Sequence, residues 1–181
     1  EARLKFGELI KKFPDISLHL TGPLQTNKVK EALGLFSVIH TLDREKLAKE
    51  LSKHPNLIKS KEFFIQVNTG KELSKSGVFP EKLNDFFILC KKKLELNIVG
   101  LMCIPPINDS SKKHFELLRQ IANDNNLNEL SIGMSDDYIE TVSERYIELY
   151  ENITGETFQK ADVSDIQSRI EANVLGYLKN V

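Results

Sequence analysis

The sequence is short of charge bias, of clustered cysteine and of long apolar runs. Its 25 Lys and Arg stand against 26 Asp and Glu, a formal net charge of −1. That balance offers no electrostatic footprint for nucleic acid or for a membrane surface. It has two cysteines, Cys90 and Cys103, and neither sits in a CxxC pair or a metal-spaced cluster. Both therefore read as small buried apolar side chains with reduced thiols. No apolar run is long enough to span a bilayer and no signal-like segment opens the chain, which points to a soluble, cytoplasmic protein. The four histidines, His19, His40, His54 and His114, are scattered, and their spacing argues for no metal site.

What is present is a regular alternation. With 181 residues, 40% of them hydrophobic and 28% charged, the chain can bury a core as one compact domain with or without an appendage. Glu1-Ala2-Arg3-Leu4 reads as the inside of a helix whose face of Leu4, Leu9, Ile10 and Phe13 stops at Pro14. A strand over 16–20 ends at Gly22-Pro23, a helix spans 27–36, and a second strand spans 38–42. Asp43 is placed to cap a helix carrying Leu47 and Leu51 on one face. Strands over 63–68, 97–104 and 127–132 follow, separated by a helix from Pro80 that carries Leu83, Phe86, Phe87 and Cys90 and by another over 110–123. The run Lys91-Lys92-Lys93 reads as the solvated last turn of its helix.

Five strands, each followed by a helix, imply a parallel sheet of right-handed βα units, and the nearly continuous apolar runs suit strands covered on both faces. An open doubly wound sheet and a (β/α) barrel both satisfy the pattern. In either, ligands bind beyond the C-terminal strand ends, so Gln25, Asn27, Asp43, the stretch 68–75, Ile104-Pro105-Pro106 and Ser135 should converge on one rim.

The most suggestive strand end is Leu130-Ser131-Ile132-Gly133-Met134-Ser135-Asp136-Asp137. An apolar strand running through a Gly-Met-Ser turn into a helix offers free backbone N–H groups and a positive dipole end, the usual means of holding a phosphate. Ser135 is also a good plain N-cap, and Asp136 and Asp137 repel an anion unless they point away. Lys75, in Ser74-Lys75-Ser76-Gly77, is the best placed amine for an aldehyde, although a lysine near its reference pKa of about 10.4 is a poor nucleophile at neutral pH. It also reads as a solvated loop lysine. Asn27 either begins a helix or contacts a cofactor from a strand end. His19 and His40, alternating with apolar neighbours, read as strand residues rather than catalysts.

His19-Leu20-Thr21-Gly22-Pro23-Leu24-Gln25-Thr26-Asn27-Lys28, His40-Thr41-Leu42-Asp43, Gln66-Val67-Asn68, Ser74-Lys75-Ser76-Gly77, Gly100-Leu101-Met102-Cys103-Ile104-Pro105 and Gly133-Met134-Ser135-Asp136-Asp137 occur in this order. In that series the chain resembles the YggS-like pyridoxal-phosphate homeostasis proteins over about residues 1–138. The resemblance implies a barrel of the alanine-racemase N-terminal type that holds pyridoxal 5′-phosphate (PLP) as a Schiff base, in proteins regarded as carriers of vitamin B6 with no assigned turnover. It implies cofactor contacts from Gly133, Met134, Ser135, Asn27 and Lys75. The lysine that bonds PLP in the family lies on the first barrel strand, upstream of the segment matching Glu1, and the family's Arg-x-Gly-Thr/Ser strand has no match between Asp137 and Val181. By this alignment the chain carries the third to seventh strands of an eight-stranded barrel, an incomplete (β/α) barrel that binds PLP weakly or not at all. No catalytic residue and no metal ligand are implied.

Residues 134–181 resemble something else. Met134-Ser135-Asp136-Asp137-Tyr138, Val142-Ser143-Glu144-Arg145-Tyr146-Ile147-Glu148-Leu149-Tyr150-Glu151 and Ala161-Asp162-Val163-Ser164-Asp165-Ile166-Gln167-Ser168-Arg169-Ile170-Glu171 are similar to the C-terminus of phosphoribosylaminoimidazole-succinocarboxamide (SAICAR) synthases. Nothing here matches that family's ATP-binding elements. The expected organisation is a partial barrel over 1–138 and a helical tail over 139–181, with two tail helices whose stripes, Tyr138, Val142, Tyr146, Leu149 and Ile166, Ile170, Val174, Leu178, are packing faces. Gly155 ends the first helix and Ser164 caps the second. A purine-biosynthetic ligase fragment and an inactive scaffold are the alternative functions. Open sheet edges give a route to self-association.

Overall fold

A computed structural model describes residues 13, 15–107 and 109–133, with 143–144, 146–148, 150–151, 153, 155–159, 168, 170, 172 and 174–176 of the tail. The chain forms two compact units, Glu1–Tyr138 and Ile139–Val181. In the first, β1 (His19–Leu20), β2 (Val38–Leu42), β3 (Glu62–Gln66), β4 (Ile98–Cys103) and β5 (Glu129–Ile132) make one sheet in the order β1-β2-β3-β4-β5, every neighbouring pair parallel. A doubly wound sheet reverses its strand order at a switch point, whereas here each crossover advances in the same direction. The sequential order therefore selects the barrel type, and the sheet is an incomplete (β/α) barrel. Among the described residues no further strand lies beside β1 or β5.

The crossovers carry α1 (Val29–Leu35), α2 (Glu45–Ser52), α3 (Pro55–Ile58), α4 (Leu83–Ile88) and α5 (Ser111–Asp124). Alternation along the strands sends Leu20, Ile39, Phe63, Ile65, Leu101 and Cys103 to the helix side, where they pack with Leu33, Leu47, Leu51, Leu83 and Leu118 in the main core. Val38, Phe64 and Met102 form a second buried cluster with Val99 and Ile104 on the opposite, inner face. Both cysteines are buried and unbonded.

Some local expectations shift. The first strand is two residues long rather than five. Asp43 caps nothing: Arg44 holds the N-cap position of α2 without a side-chain cap bond, and Asp43 accepts from the Arg44 guanidinium at 2.5 Å. That guanidinium also donates to the Leu24 carbonyl, at 2.9 Å, which fixes it across the rim and draws the Asp43 carboxylate away from the helix. Helix α3, which the apolar pattern does not show, starts with Pro55 at its first turn. Helix α4 continues into a wide π turn, Leu89–Lys93, whose three lysines are exposed as expected.

In the second unit Gly155 has φ +71° and its N–H donates to Glu151 O at 2.9 Å, the left-handed helix end expected of it. Tyr146, Ile170 and Val174, members of the two stripes, are 68%, 55% and 44% exposed. Periodicity marks a stripe without saying what covers it. The N-terminal helix face of residues 4–10, Asp136, Asp137, Tyr138, Val142, Leu149, Ser164, Ile166 and Leu178 lie outside the described residues.

Candidate functional site

The C-terminal strand ends build a rim from four local devices. After β1, the Gly22 carbonyl accepts from Thr41 Oγ1 of β2 at 2.8 Å, which joins the first two strand ends beyond the ladder. After β3, Asn68 clamps the following loop: its Nδ2 donates to Glu72 O at 2.8 Å and Lys75 O at 3.1 Å, and its Oδ1 accepts from Glu72 N–H at 3.2 Å. The loop closes where Val78 pairs with Val67, and Gly77 there has φ +123°, with room for a Cβ only 2.7 Å from Asn68 N. After β4, Pro106 lies so close to Gly70 that a Cβ on Gly70 would stand 2.3 Å from its Cγ. After β5, Gly133 N–H donates to Cys103 O at 3.0 Å.

The candidate residues fall at different strand ends. Gly133 directly follows β5, and a Cβ on it would lie 3.1 Å from Ile104 Cγ1. Because its N–H is spent on Cys103, what Gly133 offers a phosphate is space for close approach, not a donor. Met134 and Ser135 lie outside the described residues. Asn27 is exposed on a 3₁₀ turn, Thr26–Lys28, after β1. Lys75 is exposed in the β3 loop, with its ammonium 3.1 Å from the Glu72 carboxylate. None of the five strands carries a lysine. No hydrogen bond joins Asn27, Lys75 and Gly133 to one another.

The structure does join three residues that the sequence reading kept apart. His19 Nδ1 and His40 Nε2 are 2.9 Å apart, and His40 Nδ1 is 2.7 Å from Ser131 Oγ. The His40 ring stacks on Phe64, centroids 4.4 Å apart and planes within 4°. Burial first, and the neighbouring His19 second, hold the His40 ring below the ordinary histidine pKa. The β2 and β5 strands are not neighbours. In a flat sheet three spacings would separate them by roughly 14 Å, beyond the reach of a histidine and a serine. The hydrogen bond is therefore direct evidence that the sheet curls around this face. The sequence signal for the trio is its shared position on the inward side of alternating strands, which does not by itself say that the three meet.

Cys103 and Cys90 face the helices. Burial pushes their thiols up to about 11 and about 12, so neither is a nucleophile at neutral pH. His114, on α5, is buried and shares a 3.2 Å hydrogen bond with Asp109, a pairing within its own crossover. Among the described residues no group of three or more His, Cys, Asp or Glu could hold a metal ion, and no helix is long and apolar enough to cross a membrane.

Comparison with known proteins agrees with this geometry. The family model for the alanine racemase N-terminal domain matches residues 2–148. A pyridoxal phosphate homeostasis protein of Aquifex aeolicus is 34% identical over 154 residues, covering 76% of this chain and 67% of that protein. One from Pseudomonas aeruginosa is 36% identical over 135 residues, and this chain spans 59% of its length. PipY of Synechococcus elongatus, solved without PLP, is 32% identical with a TM-score of 0.64, over 79% of this chain and 71% of that one. Its form with PLP bound gives a TM-score of 0.60 at 28% identity. Separately, a 47-residue segment, 26% of this chain, is 68% identical to a phosphoribosylaminoimidazole-succinocarboxamide synthase of Flavobacterium psychrophilum and covers 15% of that enzyme. With five parallel strands in barrel order and a family match across most of its length, this chain belongs to the alanine racemase N-terminal domain family, alongside the pyridoxal phosphate homeostasis proteins.

Proposed function

We propose that the chain is a PLP-binding protein of vitamin B6 homeostasis, with the cofactor at the C-terminal strand rim and its phosphate against the Gly133-Met134-Ser135 turn. The observation that carries this reading is the likeness to PipY in its PLP-bound form, at a TM-score of 0.60 and 28% identity. The geometry supports it. Gly133 leaves a gap beside Ile104 that any side chain would fill, the kind of close backbone approach a phosphate needs. Phe64 and Met102 give an apolar floor, and His40 and Ser131 give polar groups on the same inner face.

When bound, PLP supplies an electron-poor aldehyde that condenses with primary amines. Of this chain's described residues, Gly133 leaves room for the phosphate end, and Asn68 keeps the β3 loop, with Lys75 on it, in one position. Lys75 is set toward Glu72 rather than freed for the aldehyde.

Absorbance titration with PLP, then borohydride reduction and peptide mapping, tests this. The expected result is saturable binding that inorganic phosphate displaces and that Gly133→Val weakens about tenfold, the value of roughly 1.4 kcal/mol, with no stoichiometric label on Lys75. Absence of saturable binding would overturn the proposal. Strong labelling of Lys75 would assign the amine role to that residue.

A further inference from the structure

We propose that His19, His40 and Ser131 form a hydrogen-bond relay in which the charge state of the exposed His19 sets the direction of the Ser131 hydroxyl, and so tunes the hold on an anionic oxygen of the bound ligand. The inference deepens the PLP-binding reading and rests on it for the identity of the ligand. It starts from two short contacts, 2.9 Å between the imidazoles and 2.7 Å from His40 to Ser131, with Ser17 Oγ 3.4 Å from His19 Nε2 at the outer end. The chain of hydrogen bonds runs from the exposed edge strand to a point two residues before Gly133, on the same face of β5.

A neutral imidazole has one donor and one acceptor nitrogen, and a hydroxyl can serve as either. Two arrangements satisfy every contact. In the first, His19 Nδ1–H donates to His40 Nε2, His40 Nδ1–H donates to Ser131 Oγ, and the Ser131 hydroxyl hydrogen is free to donate elsewhere. In the second all directions reverse: the Ser131 hydroxyl donates to His40 Nδ1, and His40 Nε2–H donates to His19 Nδ1. While both rings are neutral, both arrangements are open.

A single proton removes the choice. It belongs on His19, which is exposed, rather than on His40, which is 8% exposed and stacked on Phe64, because burial disfavours the charged ring. A charged His19 donates from both nitrogens, so His40 Nε2 must accept, His40 Nδ1–H must donate to Ser131, and the Ser131 hydroxyl is left to donate to the ligand. The proton stays on His19; only hydrogen-bond polarity is transmitted. Among the described residues the groups facing His40 do not compete. Phe64 and Gln66 on β3 and Met102 on β4 are uncharged, and Val38 precedes it on its own strand. The carboxylates of Glu62 and Glu129 are exposed at the strand starts, away from the rim. In this scheme His40 is a positioning residue.

Nitrogen-15 NMR of the histidines in the full chain, from pH 5 to 8, reads the relay without any ligand. As His19 charges, His40 is expected to shift fully to the Nδ1–H form. In His19→Asn, whose amide can donate or accept and carries no titrating group, that pH-dependent shift of the His40 tautomer is expected to be lost. PLP affinity, measured over the same range, is expected to rise about tenfold on protonation of His19, the value of one hydrogen bond to a charged group. The rise is expected to be absent in His19→Asn and in His40→Phe, which keeps the stack on Phe64. A His40 tautomer that ignores the His19 titration, or the same pH dependence in His40→Phe, would sink the relay. Absence of saturable PLP binding in the unaltered chain would overturn the function proposed above, and the NMR measurement would still decide the relay.

Discussion

A Cβ on Gly100 would stand 2.2 Å from the Glu129 carbonyl oxygen of β5 and 2.6 Å from Phe64 Cε1. The first is backbone and cannot swing aside, so even one methyl group must push β4 and β5 apart or displace the ring under His40. Gly100→Ala is therefore expected to cost about 2–3 kcal/mol, within the overpacking range, read as a lower urea midpoint at unchanged slope. An unchanged midpoint would mean that the strands part without cost. The glycine was visible in the sequence as part of Gly-Leu-Met-Cys-Ile-Pro, but the reason for it was not, since the crowding comes from residues 29 and 36 positions away. The buried cysteines needed no such help. Isolated in apolar runs, they read as inert side chains, and burial bears that out.

At the scale of the element, the β3 loop shows how a rim is made rigid. Asn68 satisfies two carbonyls and one N–H of the segment 72–75, groups that would otherwise need water. Removing the amide in Asn68→Ala is expected to cost roughly 2–4 kcal/mol, three hydrogen bonds at about a kilocalorie each, and to raise amide exchange across residues 70–77. If exchange there is unchanged, the clamp is not what orders the loop. Helix α2 makes the complementary case: Leu47, Ala48 and Leu51 are fully buried at helical spacing, so Leu47→Ala is expected to lose about 2–5 kcal/mol by leaving a cavity. A loss under 1 kcal/mol would mean that the site collapses. The α2 stripe was legible because period 3.6 is a local property of the chain. The short α3 was not, having four residues and no full turn of apolar repeat.

At the scale of the whole molecule, the His40–Ser131 bond ties strands that are three places apart in the sheet, and burial there, with His19 beside it, disfavours a charged His40. Its folded pKa lies below the ordinary value, so between the two values the unfolded chain binds more protons. Stability is then complete above the unfolded pKa of about 6.5 and falls as pH drops below it through the folded value. Denaturation at a series of pH values between 5 and 8 is expected to show this loss, with a shallower slope in His40→Phe. An identical slope would place the acid sensitivity elsewhere.

By itself the sequence determined the alternation of strands and helices, their parallel direction and the end of the sheet where a βα fold binds its ligands, because each follows from local periodicity and from handed crossovers. The strand pattern left open the choice between a doubly wound sheet and a barrel, for which the family resemblance alone implied the barrel, and it gave His19, His40 and Ser131 as separate strand residues. The tertiary structure decided both at once. Twist and curl accumulate over successive strands, so distances between non-neighbouring strands belong to no segment of the chain; only when all five are placed does β5 come round to meet β2 at a 2.7 Å hydrogen bond.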